Sequence, residues 1–230
     1  MKFKCNKILI ALILFVNVLS VFAQETKETL RFHMWASLDA YPELYEPGDF
    51  KAGEMDYSVK MLKETTEFLL SGMLYGWNFV YTPSDKARGV EEFFELTEIQ
   101  SIGELKGGIQ YESPWISHED NRLNCWVRYN RDSHQIQNLE RWSSIKNAAI
   151  SGRGYGSVAL GFDGIRKAAE DALKQAVREY YRNEIKNKPK EISGSVLIRK
   201  SPVIGIVSGR YVINLDFFLE SGTIITYSIF

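Results

Sequence analysis

The chain of 230 residues is 45% hydrophobic and 13% aromatic, and its 28 basic and 29 acidic side chains leave a formal charge of −1. That much apolar material supports a substantial core, as one large or two small domains, and excludes a disordered tail protein. The charges are interspersed and lack the basic stripe that neutralises phosphates, so neither nucleic acid nor an anionic lipid surface is an expected partner.

Residues 1–23 have the layout of a secretory signal peptide. Lys2, Lys4 and Lys7 precede an apolar run from Ile8 to Val21, and Val21-Phe22-Ala23 then supplies the small residues of a cleavage site. The run is short for a membrane span, which needs about 20 residues. Cleavage after Ala23 is expected, with an exported product, periplasmic or extracellular, that begins at Gln24. Losing the three lysines takes the formal charge from −1 to −4. Cys5 precedes the apolar run, whereas a lipoprotein cysteine would follow it, so no lipid anchor is expected. No later segment has the length and apolarity of a membrane helix, and no integral membrane segment is expected in the mature chain. Cys125 is then the only thiol. It cannot close an internal disulfide, and in the alternating stretch Leu123-Asn124-Cys125-Trp126-Val127 it reads as a buried small hydrophobe.

In chain order, Glu28–Leu38 is apolar-aromatic and strand-like, and Tyr41–Gly53, with Pro42, Pro47 and Gly48 among acids, is a surface loop. Tyr57–Tyr75 places Val59, Leu62, Thr66, Leu69, Leu70 and Met73 on one helical face. Trp77–Tyr81 and Glu92–Ile99 are strands about a Pro83–Gly89 turn. Gly108–Trp115 and Arg122–Tyr129 form a hairpin around His118-Glu119-Asp120-Asn121, and a short helix follows near Ser133–Ile145. Ala148–Phe162 is extended. Ile165–Ile185 is the clearest helix: Ile165, Ala168, Ala169, Ala172, Leu173, Ala176, Val177 and Tyr180 share one face, with Asp163 as the expected N-cap. Ile192–Arg199 and Val203–Leu219 complete the pattern as strands, the latter alternating through Tyr211, Ile213, Leu215, Phe217 and Leu219.

The expected fold class is α+β, built as two β-α-β-β-like units with antiparallel sheets and one packing helix each. The expected division is a signal peptide at 1–23, an N-terminal α+β unit with an extra hairpin at 24–130, a connecting helix at 131–147 and a C-terminal β-α-β-β unit at 148–230.

Motifs for chemistry are sparse. Ser151-Gly152-Arg153-Gly154-Tyr155-Gly156-Ser157 is glycine-rich, but seven residues separate it from Ile165 and it lacks a Walker lysine. A phosphate cradle needs its glycines at the helix N-terminus. Glycines at 152, 154 and 156 lie on one face of a strand and suit a closely packed helix. The three histidines, His33, His118 and His134, form no spaced metal motif, and His118-Glu119-Asp120 is explained by a turn. No serine stands in a nucleophile elbow. The residues therefore nominate no catalytic group, no cofactor site and no metal site.

Residues 151–219 carry a glycine-punctuated strand, the helix IRKAAEDALKQAVREYY and a hairpin ending GRYVINLDFFLE. This resembles the strand-helix-strand-strand module of flagellar assembly protein T and of related small envelope lipoproteins. The resemblance implies an accessory or assembly role without catalysis and transfers no site residues. The resulting expectation is an exported, non-enzymatic interaction protein of the cell envelope, whose partner is an envelope or flagellar protein met through sheet edges and exposed aromatics. The alternative is a periplasmic small-ligand binder or enzyme with a cleft between the two units. Trp115, Trp126, Trp142 and Arg153 are the candidate surface in either case.

Overall fold

The computed structural model describes residues 27–39, 55–102 and 108–227. The signal peptide with Cys5 and the whole 41–53 loop lie outside them. The elements are β1 (Thr29–Ser37), α1 (Asp56–Leu74), β2 (Trp77–Thr82), β3 (Phe93–Glu98), β4 (Ile109–Ser117), β5 (Arg122–Asn130), α2 (Ser133–Trp142), β6 (Ala148–Ser157), α3 (Gly161–Glu184), β7 (Glu191–Ile198), β8 (Val203–Val207) and β9 (Arg210–Ile225). Every strand pair is antiparallel, and the fold class is α+β.

The strands form two sheets. A three-stranded sheet has the order β1-β5-β4, and a six-stranded sheet runs β3-β2-β7-β9-β6 with β8 also on β9. The two stretches read as units along the chain share the larger sheet, because β2 pairs with β7, Trp77 opposite Val196 and Tyr81 opposite Ile192. Helix α1 lies between the sheets, touching β1 and β5 on one side and β7 and α3 on the other. It is consequently buried on more than the one face its periodicity indicates: Met61, Phe68, Leu69, Leu70, Met73 and Leu74 are joined inside by Ser58, Thr66 and Ser71. The hydroxyls of the last three each donate to a backbone carbonyl, of Ser37, Leu62 and Phe68 respectively, at 2.7–2.8 Å, so their burial costs little.

The glycine run is where α3 meets the sheet. A side chain built on Gly152 would strike the backbone of Ala172, one on Gly154 that of Ala168 and Ala172, and one on Gly156 that of Gly164. The periods agree, since two strand residues rise about 6.7 Å and four helical residues about 6 Å. Alternate glycines on β6 therefore face successive turns of α3, and Ala168, Ala169, Ala172 and Ala176, each at most 2% exposed, complete the close contact.

Three local expectations are corrected. Helix α3 begins at Gly161 after a short turn of 3-10 helix at Val158–Leu160. Phe162 is thus helical, and Asp163 sits inside the first turn, where a carboxylate favours the helix dipole, rather than at the N-cap. Val203–Leu219 is not one strand: Ser208 at φ 50° and Gly209 at φ 71° form a two-residue hairpin between β8 and β9. Left-handed conformation at both positions matches the twist of the flanking strands. The last strand runs on to Ile225.

Cys125 points into the core opposite Met34 and is 2% exposed. Burial pushes its thiol up to about 11. It should not react with a disulfide reagent at pH 8 in the native protein and should react fully in denaturant, a contrast that thiol titration measures. Because the folded state disfavours only the thiolate, this group leaves stability unchanged below about pH 9 and lowers it as the pH rises toward 11.

Candidate functional site

The solvent face of the three-stranded sheet follows from strand alternation. On β1, Leu30, Phe32, Met34 and Ala36 turn inward, leaving Arg31, His33 and Trp35 on the opposite face. On β5 the same rule turns Leu123, Cys125, Val127 and Tyr129 inward and Arg122, Asn124, Trp126 and Arg128 outward. The register sets His33 beside Trp126, Trp35 beside Asn124 and Arg31 beside Arg128. Strand β4 brings Trp115 opposite Asn124 through a bulge at Ser113-Pro114, which re-aims the tryptophan from an edge strand.

These residues form one aromatic and basic cluster. The His33 ring stacks on Trp115 with centroids 5.3 Å apart and lies 5.6 Å from Trp126. Its Nε2 is 3.1 Å from Asn124 Oδ1, and since a carboxamide oxygen only accepts, His33 is the donor. The Arg31 guanidinium covers Trp126 at 4.4 Å, and that of Arg122 covers Trp35 at 3.9 Å. Glu112 holds Arg31 at 3.4 Å and Arg128 at 3.6 Å. Pairs this exposed add little stability; they keep the guanidinium groups in place. Trp115 is 42% exposed, so its ring offers apolar surface to a partner.

Beside the cluster runs a groove of about 290 Å³, with Arg31, His33, Trp35 and Trp126 on one side and Ser201–Ile204 on the other. Trp35 ties the two sides together by donating its Nε1 hydrogen to the Ile204 carbonyl at 3.1 Å. The groove thus lies between the two sheets.

Of the four residues nominated by sequence, Trp115 and Trp126 meet on this face. Trp142, the last residue of α2, is 1% exposed and presents no surface. Helix α2 is docked from the inside, where Gln135 closes a capping box with Asp132 and donates to the hydroxyls of Tyr75 and Tyr129 at 3.0 Å. Arg153 stands over Tyr155 on β6, at the free edge of the other sheet, and lines no part of the groove. Sequence reasoning missed Arg31, His33, Trp35 and Arg122. The alternation of Arg31, His33 and Trp35 with Leu30, Phe32 and Met34, and of Arg122 with Leu123, was a usable signal.

Among the described residues, no group of three or more His, Cys, Asp or Glu is arranged to hold a metal ion. Nor is any described helix long and apolar enough to cross a membrane.

The sequence model of an uncharacterised protein family matches residues 18–227. A protein of Treponema pallidum (strain Nichols), itself described as uncharacterized, is 30% identical over 174 residues, which cover 74% of this chain and 70% of that protein. No solved structure matches the chain.

Proposed function

We propose that this chain, which belongs to the family of that Treponema pallidum protein, is an exported accessory or assembly protein of the cell envelope that binds an envelope or flagellar protein through the outer face of its three-stranded sheet. The observation that carries the reading is the Trp115–His33–Trp126–Arg31 cluster. Exposed tryptophan and arginine that are already ordered by their neighbours are the residue types that dominate protein interfaces, because little side-chain entropy remains to be lost on binding. The export part rests on the leader pattern of residues 1–23, and the envelope or flagellar part on the resemblance carried by residues 151–219.

A second reading has its own support. The groove of about 290 Å³ between β1, β5 and Ser201–Ile204 approaches the size of a small-ligand pocket and is lined by two indoles, an imidazole and a guanidinium. Affinity capture from the native envelope separates the two. A partner protein at defined stoichiometry should be retained by wild type and by Tyr155→Ala, and lost from Trp115→Ala/Trp126→Ala. A partner retained equally by the double variant would refute binding at this face, and a small molecule co-eluting in place of any protein would favour the groove.

A further inference from the structure

We propose that a cleft at the C-terminal end of α3 binds a small polyanion of the phosphate or carboxylate type. The cleft holds about 320 Å³ and is bounded by the end of α3, the residues that follow it, β2 and β7. Its floor is Tyr81, Tyr181 and Ile192, at 4%, 5% and 1% exposure. Its rim sets Arg178, Arg182, Lys186 and Lys188 against one carboxylate, Glu92.

That carboxylate is already engaged. It accepts the Tyr81 hydroxyl at 3.0 Å and pairs with Lys174 at 3.8 Å and Arg178 at 3.9 Å. Burial and this bond push the Tyr81 phenol up to about 12, so it stays a protonated donor. Arg182 shares Glu179 at 2.8 Å. Nearby Asp85, which feels Lys188, is held by Arg88 at 2.6 Å. Lys186 and Lys188 make no ion pair among the described residues. The Tyr181 hydroxyl is buried and makes no hydrogen bond of good geometry, Ser221 being the side chain that stands near it.

The negative end of the α3 dipole accounts for Arg182 in the last turn. It does not account for Lys186 and Lys188, which lie beyond the helix and turn over the same concave, phenol-floored space. A ligand with two or more negative charges supplies what the rim lacks, and guanidinium groups suit phosphate and carboxylate oxygens.

The test is thermal unfolding of the mature full-length chain with pyrophosphate, with citrate, and with sodium chloride at matched ionic strength, alongside co-sedimentation with phosphatidylglycerol vesicles. A saturable rise in Tm with pyrophosphate or citrate, above the chloride control, is expected. Lys186→Gln/Lys188→Gln should weaken apparent affinity at least tenfold, while Arg153→Gln, on β6, should not. Both lysines are exposed, so the double variant should fold as wild type does. Vesicle binding lost in that variant would assign the phosphate to a lipid headgroup; a Tm rise without vesicle binding would assign it to a free ligand. No rise above chloride together with no lysine-dependent vesicle binding, or an undiminished rise in the double variant, would overturn the proposal. None of these outcomes bears on the aromatic face of the smaller sheet.

Discussion

Gly154→Val is expected to abolish most of the folded state. The first atom of the new side chain would overlap the Ala168 carbonyl and the Ala172 amide, backbone groups that cannot rotate aside. Gly152 and Gly156 make the same approach on either side, so a local shift at 154 cannot relieve the overlap without lifting α3 from β6. Lifting it exposes Ala168, Ala172, Leu173, Ala176 and Val177, all now at most 2% exposed. The cost should exceed about 4 kcal/mol, a large share of the roughly 5–15 kcal/mol that stabilises a domain. Gly205→Ala is the control. A side chain there meets nothing within 4 Å, so stability should stay within about 1 kcal/mol of wild type. Urea unfolding followed by circular dichroism measures both. A Gly154→Val midpoint equal to that of wild type would mean that α3 does not lie on β6 at this distance.

Trp77→Ala should be the next most damaging change. Trp77 is fully buried and opens β2, and its ring stacks on Phe68 of α1 with centroids 4.7 Å apart and approaches Phe217 of β9 at 6.3 Å. Its Nε1 donates to the Ser71 hydroxyl at 3.3 Å, which leaves no polar group stranded. One side chain thus joins the helix between the sheets to strands from both halves of the chain. Removing it should cost about 3–5 kcal/mol through lost burial and the cavity left behind. Trp77→Phe, which keeps the stacking, should cost less than half as much. A loss below about 1 kcal/mol for the alanine variant would contradict this packing.

Local periodicity explains why most elements were legible. The alternation in Tyr211–Leu219, the three- and four-residue spacing of Ile165–Val177 and the polar turn at His118–Asn121 each record a nearby physical requirement. The glycines at 152, 154 and 156 were legible for the same reason, because a strand under a close helix needs small residues at alternate positions. Strand order was not legible. The pairing of β2 with β7 and of β1 with β5 joins residues far apart in the chain, such as Ser37 with Arg122 and Trp77 with Val196, and a strand's own pattern names its buried face but not its neighbour. The turn at Ser208-Gly209 was hidden because Ile204, Ile206, Val207 and Tyr211 carry apolar character across it. Burial of α1 on several sides was hidden because Ser58 and Ser71 fall outside the apolar stripe and carry polar side chains, whose hydroxyls find carbonyl partners on Ser37 and Phe68.

The candidate site divides along the same line. Trp115 and Trp126 stood out by residue type, and so did Trp142, which is buried at the end of α2. Alternation places Arg31, His33 and Arg122 on one face, and the β1–β5 register then brings Arg31 and His33 to Trp126 and Arg122 to Trp35.

Photo-crosslinking in the native cell tests the proposed role of this face most directly. A photoreactive residue in place of the exposed Trp115, compared with one in place of the fully exposed Ile145 on the loop after α2, reports what touches each point. Illumination should give one discrete protein adduct from position 115, of the mass of an envelope or flagellar protein, and none from position 145. No adduct from 115, or the same adducts from both positions, would contradict the assignment of the three-stranded sheet as the partner-binding surface.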